Sequence, residues 1–229
     1  MQPYFFPYVG YFSLFEAADI FVIYDDVNYI KKGWVNRNYF FSQSGPQRFT
    51  LPISKASQNI KICSLKLQSL EKSKLALFKT LCHAYARAPY YKTVMAMLEG
   101  IFECETVALT DFLVNALTCI NKYLGITVDI ICSSKMQLGV GLAGQDRIID
   151  IAKALNAKNY INSIGGMELY SGSCFQTQGL VLQFLKHKGS NYRQFSGVHI
   201  PYLSIIDVLM FNSPGEAMKI VKNYELING

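Results

Sequence analysis

The sequence has no run of about 18 apolar residues, which is the length a membrane-spanning helix needs. Its opening stretch, MQPYFFPYVGYF, is apolar but lacks the Lys/Arg-rich start of a signal peptide, and Pro3 and Pro7 interrupt it. No transmembrane segment and no secretion signal are therefore predicted, and we expect a cytoplasmic protein.

Metal-binding and triad patterns are also missing. The six cysteines lie far apart without a C-x-x-C pair, and the three histidines have no metal-ligand spacing. His83 lies in a predicted helix rich in apolar residues and is interpreted as structural, and neither His187 nor His199 stands beside an obvious Ser or Cys nucleophile. No metal ligand is assigned. Most cysteines stand in apolar stretches such as VDIICSS, so buried reduced thiols are expected, as in the cytoplasm.

Charge is sparse and scattered. The chain carries 22 Lys and Arg against 16 Asp and Glu, a net charge of +6, with no block of five or six like charges. Nucleic-acid binders concentrate basic residues on one face, so nucleic acid is not an expected partner. Anionic small ligands such as nucleotides suit a mild positive excess.

What is present is a β/α alternation in a chain that is 51% hydrophobic. This pattern predicts an α/β fold: a Rossmann-like parallel sheet flanked by helices, with a β-hairpin and a helical insertion. We expect one domain over 1–229, with 68–125 as a helical sub-lobe. The predicted strands are 20–24, 60–67, 127–134, 158–163 and 180–187, the hairpin is 33–54, the loop is 164–170, and the helices are 11–18, three within 71–125, 144–157, 203–212 and 213–224.

The opening stretch is punctuated like a strand-to-helix turn, the place where parallel sheets bind ligands. Gly10 permits close approach, and the following helix offers free N–H groups to a phosphate. The run Tyr8-Val9-Gly10-Tyr11 resembles the H-x-G-H signature of nucleotidylyltransferase-like enzymes, with tyrosine at both histidine positions. That resemblance implies a nucleotide at Tyr8 and Tyr11, and a serine and lysine loop, which "CSSK" with Lys135 would supply. The alternative for CSSK is a polar strand exit.

Asp25 and Asp26 follow the first predicted strand. If the strand continues, their side chains point to opposite faces, so only one faces the site. That carboxylate would bind Mg²⁺ with a nucleotide, or a sugar hydroxyl. The alternative is a solvated pair at a strand end.

The segment KKGWVNRN combines cationic, aromatic and amide side chains. Strand alternation puts Trp34, Asn36 and Asn38 on one face, a surface suited to stacking a sugar or base. Arg37 on the other face would clamp a phosphate or carboxylate. The alternative is a core tryptophan with asparagines that complete hairpin hydrogen bonds.

Two later segments are also predicted to lie at the ligand-binding edge of the sheet. GQDRIID begins a helix whose Asp146 suits the helix dipole and whose Arg147 could reach an anion. NSIGGMELY follows a strand, and its double glycine would let the backbone curl around a ligand, although such pairs are often only turns.

A longer resemblance is carried by QPYFFPYVGYF, ADIFVIYDDVNYIKKGWVNRN, GQDRIIDIAKAL, YINSIGGMELY and LSIIDVLMFN, which together resemble the WbqC-like family. The resemblance implies a role in bacterial surface-polysaccharide (O-antigen type) biosynthesis, with amino-acid or acyl transfer to sugars. It also implies a first strand ending near Met1, so we expect this chain either to start late or to lack that strand's beginning.

The leading hypothesis is a transferase or ATP-dependent amide ligase that acts on a nucleotide- or lipid-linked sugar, with ATP and Mg²⁺ as the cofactors that the fold resemblance implies. The alternatives are a non-catalytic glycan- or nucleotide-sugar-binding component and an acyl-CoA-dependent acyltransferase. A small sugar or nucleotide-sugar is the expected partner, and no oligomeric state is predicted. The catalytic candidates are Arg37, Asp25 and Arg147, and the substrate-binding candidates are Gln2, Tyr4, Tyr8, Gly10, Tyr11, Asp26, Lys32, Trp34, Asn36, Asn38, Lys135, Gln145, Asp146, Ser163, Gly165, Gly166 and Tyr170.

Overall fold

The computed structural model describes residues 1–138, 141–189, 191–195 and 197–229. Helices and strands alternate along most of the chain. In chain order the elements are α1 (Val9–Glu16), β1 (Ile20–Ile23), β2 (Arg37–Phe40), β3 (Gln47–Thr50), β4 (Ile53–Ser54), a 3₁₀ turn (Ile62–Ser64), β5 (Lys66–Leu67), α2 (Leu70–Tyr85), α3 (Tyr91–Phe102), α4 (Leu109–Leu124), β6 (Asp129–Cys132), a 3₁₀ turn (Ser133–Lys135), α5 (Gly144–Ala154), β7 (Asn159–Ser163), a 3₁₀ helix (Ile164–Leu169), α6 (Gly172–Thr177), β8 (Val181–His187), α7 (Ile205–Phe211), α8 (Pro214–Val221) and β9 (Tyr224–Asn228).

The α/β class is confirmed, but the strands form small sheets and not one Rossmann-like sheet. β1 pairs in parallel with β6, from Ile20 opposite Asp129 to Ile23 opposite Cys132. β7 and β8 are parallel, and β9 adds to β8 in the antiparallel direction. The predicted hairpin is present as β2–β3, and β4–β5 form a second antiparallel pair.

Several predicted boundaries were wrong for identifiable reasons. α1 starts at Val9, two residues earlier than predicted, so Gly10 and Tyr11 lie inside its first turn. The predicted strand 60–67 is a 3₁₀ turn followed by the two-residue β5, and the predicted loop 164–170 is mostly 3₁₀ helix. The predicted helix 213–224 ends at Val221, and Tyr224 begins β9, which alternation in YELIN could have indicated.

Helices cover both faces of the β7–β8–β9 sheet. α1 packs across β1, β7 and β8 on one side. On the other side, Leu182 and Phe184 of β8 join Ile149 of α5 and Phe175 of α6 in a separate apolar cluster. Alternate residues of β8 thus face two different helical layers, as strand geometry requires.

The larger core joins the opening stretch to the middle helices. Phe5 and Phe12 belong to the same contiguous apolar cluster as Leu77 of α2, Leu98 of α3 and Leu113 of α4. Within the described part of the chain, no helix is long and apolar enough to cross a membrane. The single-domain organisation of the chain stays a prediction.

Candidate functional site

The candidate site lies where β1 and β6 end. Because the two strands are parallel and Ile23 is opposite Cys132, the residues that follow them leave the sheet at the same edge. Asp25 and Asp26 therefore meet Ser133 and Ser134 across this edge, although more than 100 residues separate the two pairs in the chain. The carboxyl edge of a parallel pair is the usual ligand-binding side of such sheets.

Asp25 acts as a clamp between the two chain segments. Its side chain is almost fully buried, with 1% of the residue exposed. One carboxylate oxygen accepts from the Ser134 backbone N–H at 2.9 Å and from the Ser133 hydroxyl at 3.2 Å, and the other accepts from the Ser134 hydroxyl at 2.8 Å. These donors offset the desolvation of the charge, so Asp25 orders the loop after β6.

Asp26 is the more accessible carboxylate of the pair. It forms an ion pair with Arg147 of α5, and its other oxygen lies 2.5 Å from the Ser133 hydroxyl. The Asp26 and Arg147 side chains are 14% and 12% exposed, so the pair borders solvent. Burial alone would raise the pKa of Asp26, but the hydrogen bonds from Ser133 and Arg147 outweigh it and lower that pKa.

Arg147 is held between an aromatic ring and a carboxylate. Its guanidinium lies 5.0 Å from the centroid of the Tyr24 ring, within cation–π distance. Burial would lower the pKa of Arg147, but the hydrogen bond to Asp26 and the electrostatic interactions with Tyr24 and Asp26 together outweigh burial and raise that pKa. The Arg147 Nε is buried and has no hydrogen-bond partner among the described residues. The guanidinium is thus fixed between Asp26 and Tyr24 beside the carboxyl edge.

The expectation that Asp25 and Asp26 face opposite ways was wrong. Both lie within hydrogen-bond distance of the same Ser133 hydroxyl, whose single hydrogen the two carboxylates share. The physical reason is that β1 ends at Ile23, so the two-residue alternation of a strand no longer governs these side chains.

The opening stretch borders this edge and is held there by hydrogen bonds and tyrosine packing. The Tyr24 backbone N–H donates to the Met1 carbonyl at 2.7 Å, which puts Gln2 next to the acidic pair. Tyr11 is buried and its hydroxyl donates to the Gln2 carbonyl at 2.7 Å. A Cβ on Gly10 would lie 2.5 Å from the Tyr8 ring, so tyrosine packing explains this glycine.

Two tyrosines of the opening stretch, Tyr4 and Tyr8, are half-buried. Tyr4 packs against Tyr11 with ring centroids 5.4 Å apart, and Tyr8 packs edge-on against Tyr202 at 6.1 Å. Burial raises the pKa of both Tyr4 and Tyr8, so their hydroxyls stay protonated near neutral pH.

The hairpin residues do not share the single face that alternation predicted. Trp34 is 46% exposed, whereas Asn36 and Asn38 are 4% and 3% exposed. The Asn36 amide donates to the Leu51 carbonyl, and the Asn38 amide donates to the carbonyls of two opening-stretch phenylalanines. The prediction failed because β2 begins only at Arg37, so Trp34 lies outside the strand.

Other hairpin candidates lie at or near the surface. Lys32 is exposed and has a left-handed backbone (φ 65°). Arg37 is half-buried, and its buried Nε has no hydrogen-bond partner among the described residues. Asp25, Asp26, Ser133, Ser134 and Arg147 form a group that we call the acid–serine cluster. In the part of the chain that the structure describes, no hydrogen bond or ion pair joins Lys32 or Arg37 to this cluster.

The later candidates lie around α5 and β7. The Gln145 side chain accepts from the Ser171 backbone N–H at 3.1 Å, while Asp146 is exposed. Lys135 is exposed in the turn after β6. Four further candidates lie at or after the end of β7: Ser163, Gly165, Gly166 and Tyr170.

Close packing explains one of these glycines. A Cβ on Gly166 would stand 3.3 Å from the Asn162 amide nitrogen. That amide donates to the Tyr160 hydroxyl, which lies 3.5 Å from the Tyr170 hydroxyl. The three polar side chains of Asn162, Tyr160 and Tyr170 thus continue the carboxyl edge of the strands from β1 toward β7.

Sequence reasoning missed Ser133, Ser134 and Tyr24 as site residues. The signal for the serines was present, because CSSK follows a strand, but only its lysine was selected. Tyr24 was treated as the end of a strand. Its role became visible only when α5 brought Arg147 over its ring.

A second buried polar cluster was also missed. Asp207 of α7 is fully buried and accepts from the hydroxyls of Tyr85 and Tyr192 at 2.7 and 2.5 Å and from the Gln194 amide at 2.7 Å. Burial raises the pKa of Asp207. These bonds tie α2, the 192–194 segment and α7 together, which is a structural role.

The acidic pair does not fit a resident Mg²⁺ ion. Each Asp25 oxygen already accepts from serine donors, and the two Asp26 oxygens are engaged by Ser133 and Arg147. Mg²⁺ requires carboxylate oxygens that are free to coordinate it. Among the described residues, no group of three or more His, Cys, Asp or Glu could hold a metal ion.

Comparisons with known proteins give matches that cover nearly the whole chain. The model of the WbqC-like protein family matches residues 2–219. An uncharacterized protein of Mycobacterium tuberculosis, Rv1507c, is 27% identical over 220 residues, which covers 95% of this chain and 94% of that protein. No solved structure gives a significant match.

Proposed function

The chain belongs to the WbqC-like protein family, and from this premise we propose that it is a transferase or ligase of bacterial surface-polysaccharide biosynthesis. It attaches an amino-acid or acyl group to a nucleotide- or lipid-linked sugar at the acid–serine cluster. The observation that carries this proposal is the solvent-bordering ion pair of Asp26 and Arg147, held over a buried clamp at the carboxyl edge of β1 and β6.

Arg147 supplies the anion-binding group. A guanidinium recognises phosphate or carboxylate with two parallel N–H bonds, and both the sugar carrier and an activated acyl group contain such anions. The position of Arg147 at the solvent border, in contact with Asp26 and over the Tyr24 ring, supports this role. Pre-positioned donors also stabilise charge that develops on an acyl oxygen during transfer.

Asp26 supplies the proton acceptor. Arg147 is one of the groups that lower its pKa, so an anion that shares the fixed Arg147 guanidinium weakens this effect and raises the pKa of Asp26. The freed carboxylate then takes the proton of a sugar amine or hydroxyl as that group attacks the acyl carbon and the leaving group departs. Asp25 and the serines hold Asp26 in place.

The decisive experiment complements a strain that lacks this gene with Arg147→Ala, Asp26→Asn or Arg48→Ala and measures surface-polysaccharide modification by mass spectrometry. We expect Arg147→Ala and Asp26→Asn to lower modification at least about 100-fold, the scale of a lost acid–base or charge-stabilising group. Arg48 is an exposed arginine of β3 and serves as the matched control.

Binding measurements separate catalysis from binding alone. Thermal-shift titrations with ATP, acyl-CoA and nucleotide-sugars identify the donor and the sugar carrier. If Asp26→Asn still binds the sugar carrier but does not modify polysaccharide, the protein is catalytic. Wild-type modification by both cluster variants would overturn the proposal.

A further inference from the structure

The positive charge of the protein is concentrated in one segment of the chain. Residues 27–70, between Asp26 and Glu71, contain no acidic side chain and seven of the 22 Lys and Arg. The rest of the chain carries 15 basic and 16 acidic side chains, so this segment accounts for the whole net positive charge. Its basic residues are Lys31, Lys32, Arg37, Arg48, Lys55, Lys61 and Lys66.

The basic side chains of this segment are not neutralised by neighbouring acids. Among the residues that the structure describes, none of the seven forms an ion pair. All except the half-buried Arg37 are exposed. The β2–β3 hairpin, the β4–β5 pair and the turns between these strands carry them, so their backbone positions are fixed. The segment therefore offers an uncompensated positive surface to an anionic partner.

A tight turn presents two of these lysines between apolar side chains. The Gly33 N–H donates to the Ile30 carbonyl at 3.1 Å, which closes a four-residue turn with Lys31 and Lys32 at its centre. Lys32 has a φ of 65°, as the third position of a type II turn requires. Ile30 and Trp34, on either side of the lysines, are 54% and 46% exposed. We call residues 30–34 the basic turn.

The basic turn lies close to the acid–serine cluster. It begins four residues after Asp26, so the Cα atoms of Asp26 and Ile30 are at most about 14 Å apart. An isolated bridge pairs Asn28 with Lys61 and brings a third exposed lysine beside the turn. A partner bound at the basic turn is therefore also near the candidate site.

We propose that the basic turn docks the protein on an anionic lipid bilayer. Lys31, Lys32 and Lys61 face the lipid headgroups, where each lysine gains from the negative surface potential. Ile30 and Trp34 enter the interface, the region in which tryptophan is enriched in membrane proteins. Exposed apolar side chains beside the lysines favour a bilayer over a nucleic acid, because phosphate contacts alone would leave the Ile30 side chain in water.

Docking at this turn orients the acid–serine cluster toward the membrane surface. The proposed function allows two sugar carriers, a nucleotide and a lipid. The lipid carrier is favoured because its headgroup lies at the surface that holds the docked protein. This choice of carrier rests on the proposed function, whereas docking on the bilayer does not.

Vesicle co-sedimentation of the full chain measures docking. Wild-type protein should bind vesicles of phosphatidylcholine with phosphatidylglycerol, should not bind phosphatidylcholine alone, and should dissociate as salt is added. Emission of Trp34, the only tryptophan, should shift to shorter wavelength on binding. Lys31→Gln with Lys32→Asn should weaken binding at least about tenfold, since each lysine contributes about fivefold. Asparagine is used at Lys32 because it tolerates a positive φ.

Matched variants of α2 control for net charge and exposed apolar area. Lys72→Gln with Lys79→Gln removes the same charge from exposed positions and should bind vesicles like the wild type. Ile30→Ser should weaken binding, whereas Leu75→Ser, at a residue 63% exposed, should not. Asp26→Asn should also bind like the wild type, which distinguishes a failure of docking from a failure of the proposed function.

Two results would overturn the proposal. One is equal vesicle binding by the basic-turn and α2 double-lysine variants, which would show that net charge alone attracts the protein. The other is absence of wild-type binding to anionic vesicles. If the wild type then binds a single-stranded oligonucleotide instead, the positive surface serves nucleic acid.

Discussion

Asp25 and Asp26 are neighbours in the chain but have different surroundings. Asp25 is buried among serine donors, whereas Asp26 borders solvent in an ion pair. A buried carboxylate with satisfied acceptors is suited to hold structure, and an accessible one beside a cation is suited to chemistry. This difference is the reason for proposing a positioning role for Asp25 and proton transfer by Asp26.

The buried Met1 amine predicts how the stability of the protein depends on pH. Its amine has a pKa lowered to about 5 in the folded protein, from about 8 when unfolded. Between pH 5 and 8 the unfolded state binds more protons, so stability rises with pH, by about 1.4 kcal/mol per unit at most. We expect urea denaturation of the free-amine protein to show this slope.

An N-acetylated protein is the control for the pH slope. Acetylation removes the ionisable amine. It leaves unchanged the other charged groups that line the cavity between β1 and β7, such as Asp19 and Lys158. Between pH 5 and 8, the free energy of unfolding of the acetylated protein should change by about 2–4 kcal/mol less than that of the free-amine protein. Parallel slopes for the two proteins would contradict a buried amine.

At the scale of elements, the β2–β3 hairpin holds the opening stretch in place. The Asn38 amide donates to the Phe5 and Phe6 carbonyls at 3.0 and 2.6 Å, and Phe6 has a positive φ of 43°. The Ser204 hydroxyl also donates to the Phe6 carbonyl at 2.8 Å. The strained turn before α1 therefore depends on side chains distant in sequence.

Asn38→Ala tests this dependence. It leaves the Phe5 carbonyl without the Asn38 donor and the Phe6 carbonyl with Ser204 alone, so we expect the free energy of unfolding to fall by about 1–3 kcal/mol in urea denaturation. Asn59 is an exposed asparagine, and Asn59→Ala should change stability by less than about 0.5 kcal/mol. Unchanged stability of Asn38→Ala would leave its amide available for the predicted role in substrate binding.

At the scale of the molecule, one large apolar cluster joins the opening stretch, the hairpin and helices α2–α4. Tyr85 of α2 donates to Asp207 of α7 and packs against Phe41, which follows β2. Such shared burial favours cooperative unfolding. The smaller apolar cluster around Phe184 is linked to the large cluster through β8, because Leu185 of the same strand belongs to the large cluster.

We expect a single unfolding transition over residues 1–229. Far-UV circular dichroism reports mainly on the helices, and the fluorescence of Trp34, the only tryptophan, reports on the hairpin. The two probes should give coincident urea midpoints. An earlier loss of helical signal would instead show that residues 68–125 form a separately unfolding sub-lobe.

The sequence by itself determined the α/β class, most strands and helices, the family and the acidic pair at a strand end. These depend on local signals, namely hydrophobic period, caps and motif order, which neighbouring residues carry. It could also locate CSSK after a strand, but not its serines as partners of Asp25. It could not show either that the Asn36 and Asn38 side chains are buried and donate to backbone carbonyls.

Only the tertiary structure decided those points, because each depends on contacts between residues far apart in the chain. Parallel pairing of β1 with β6 brought Ser133 to Asp25 and Asp26, and the packing of α5 added Arg147. The gap between β1 and β7 likewise appears only when two strands about 140 residues apart face each other. Pairing and packing over such distances are set by the whole core, and no local stretch encodes them.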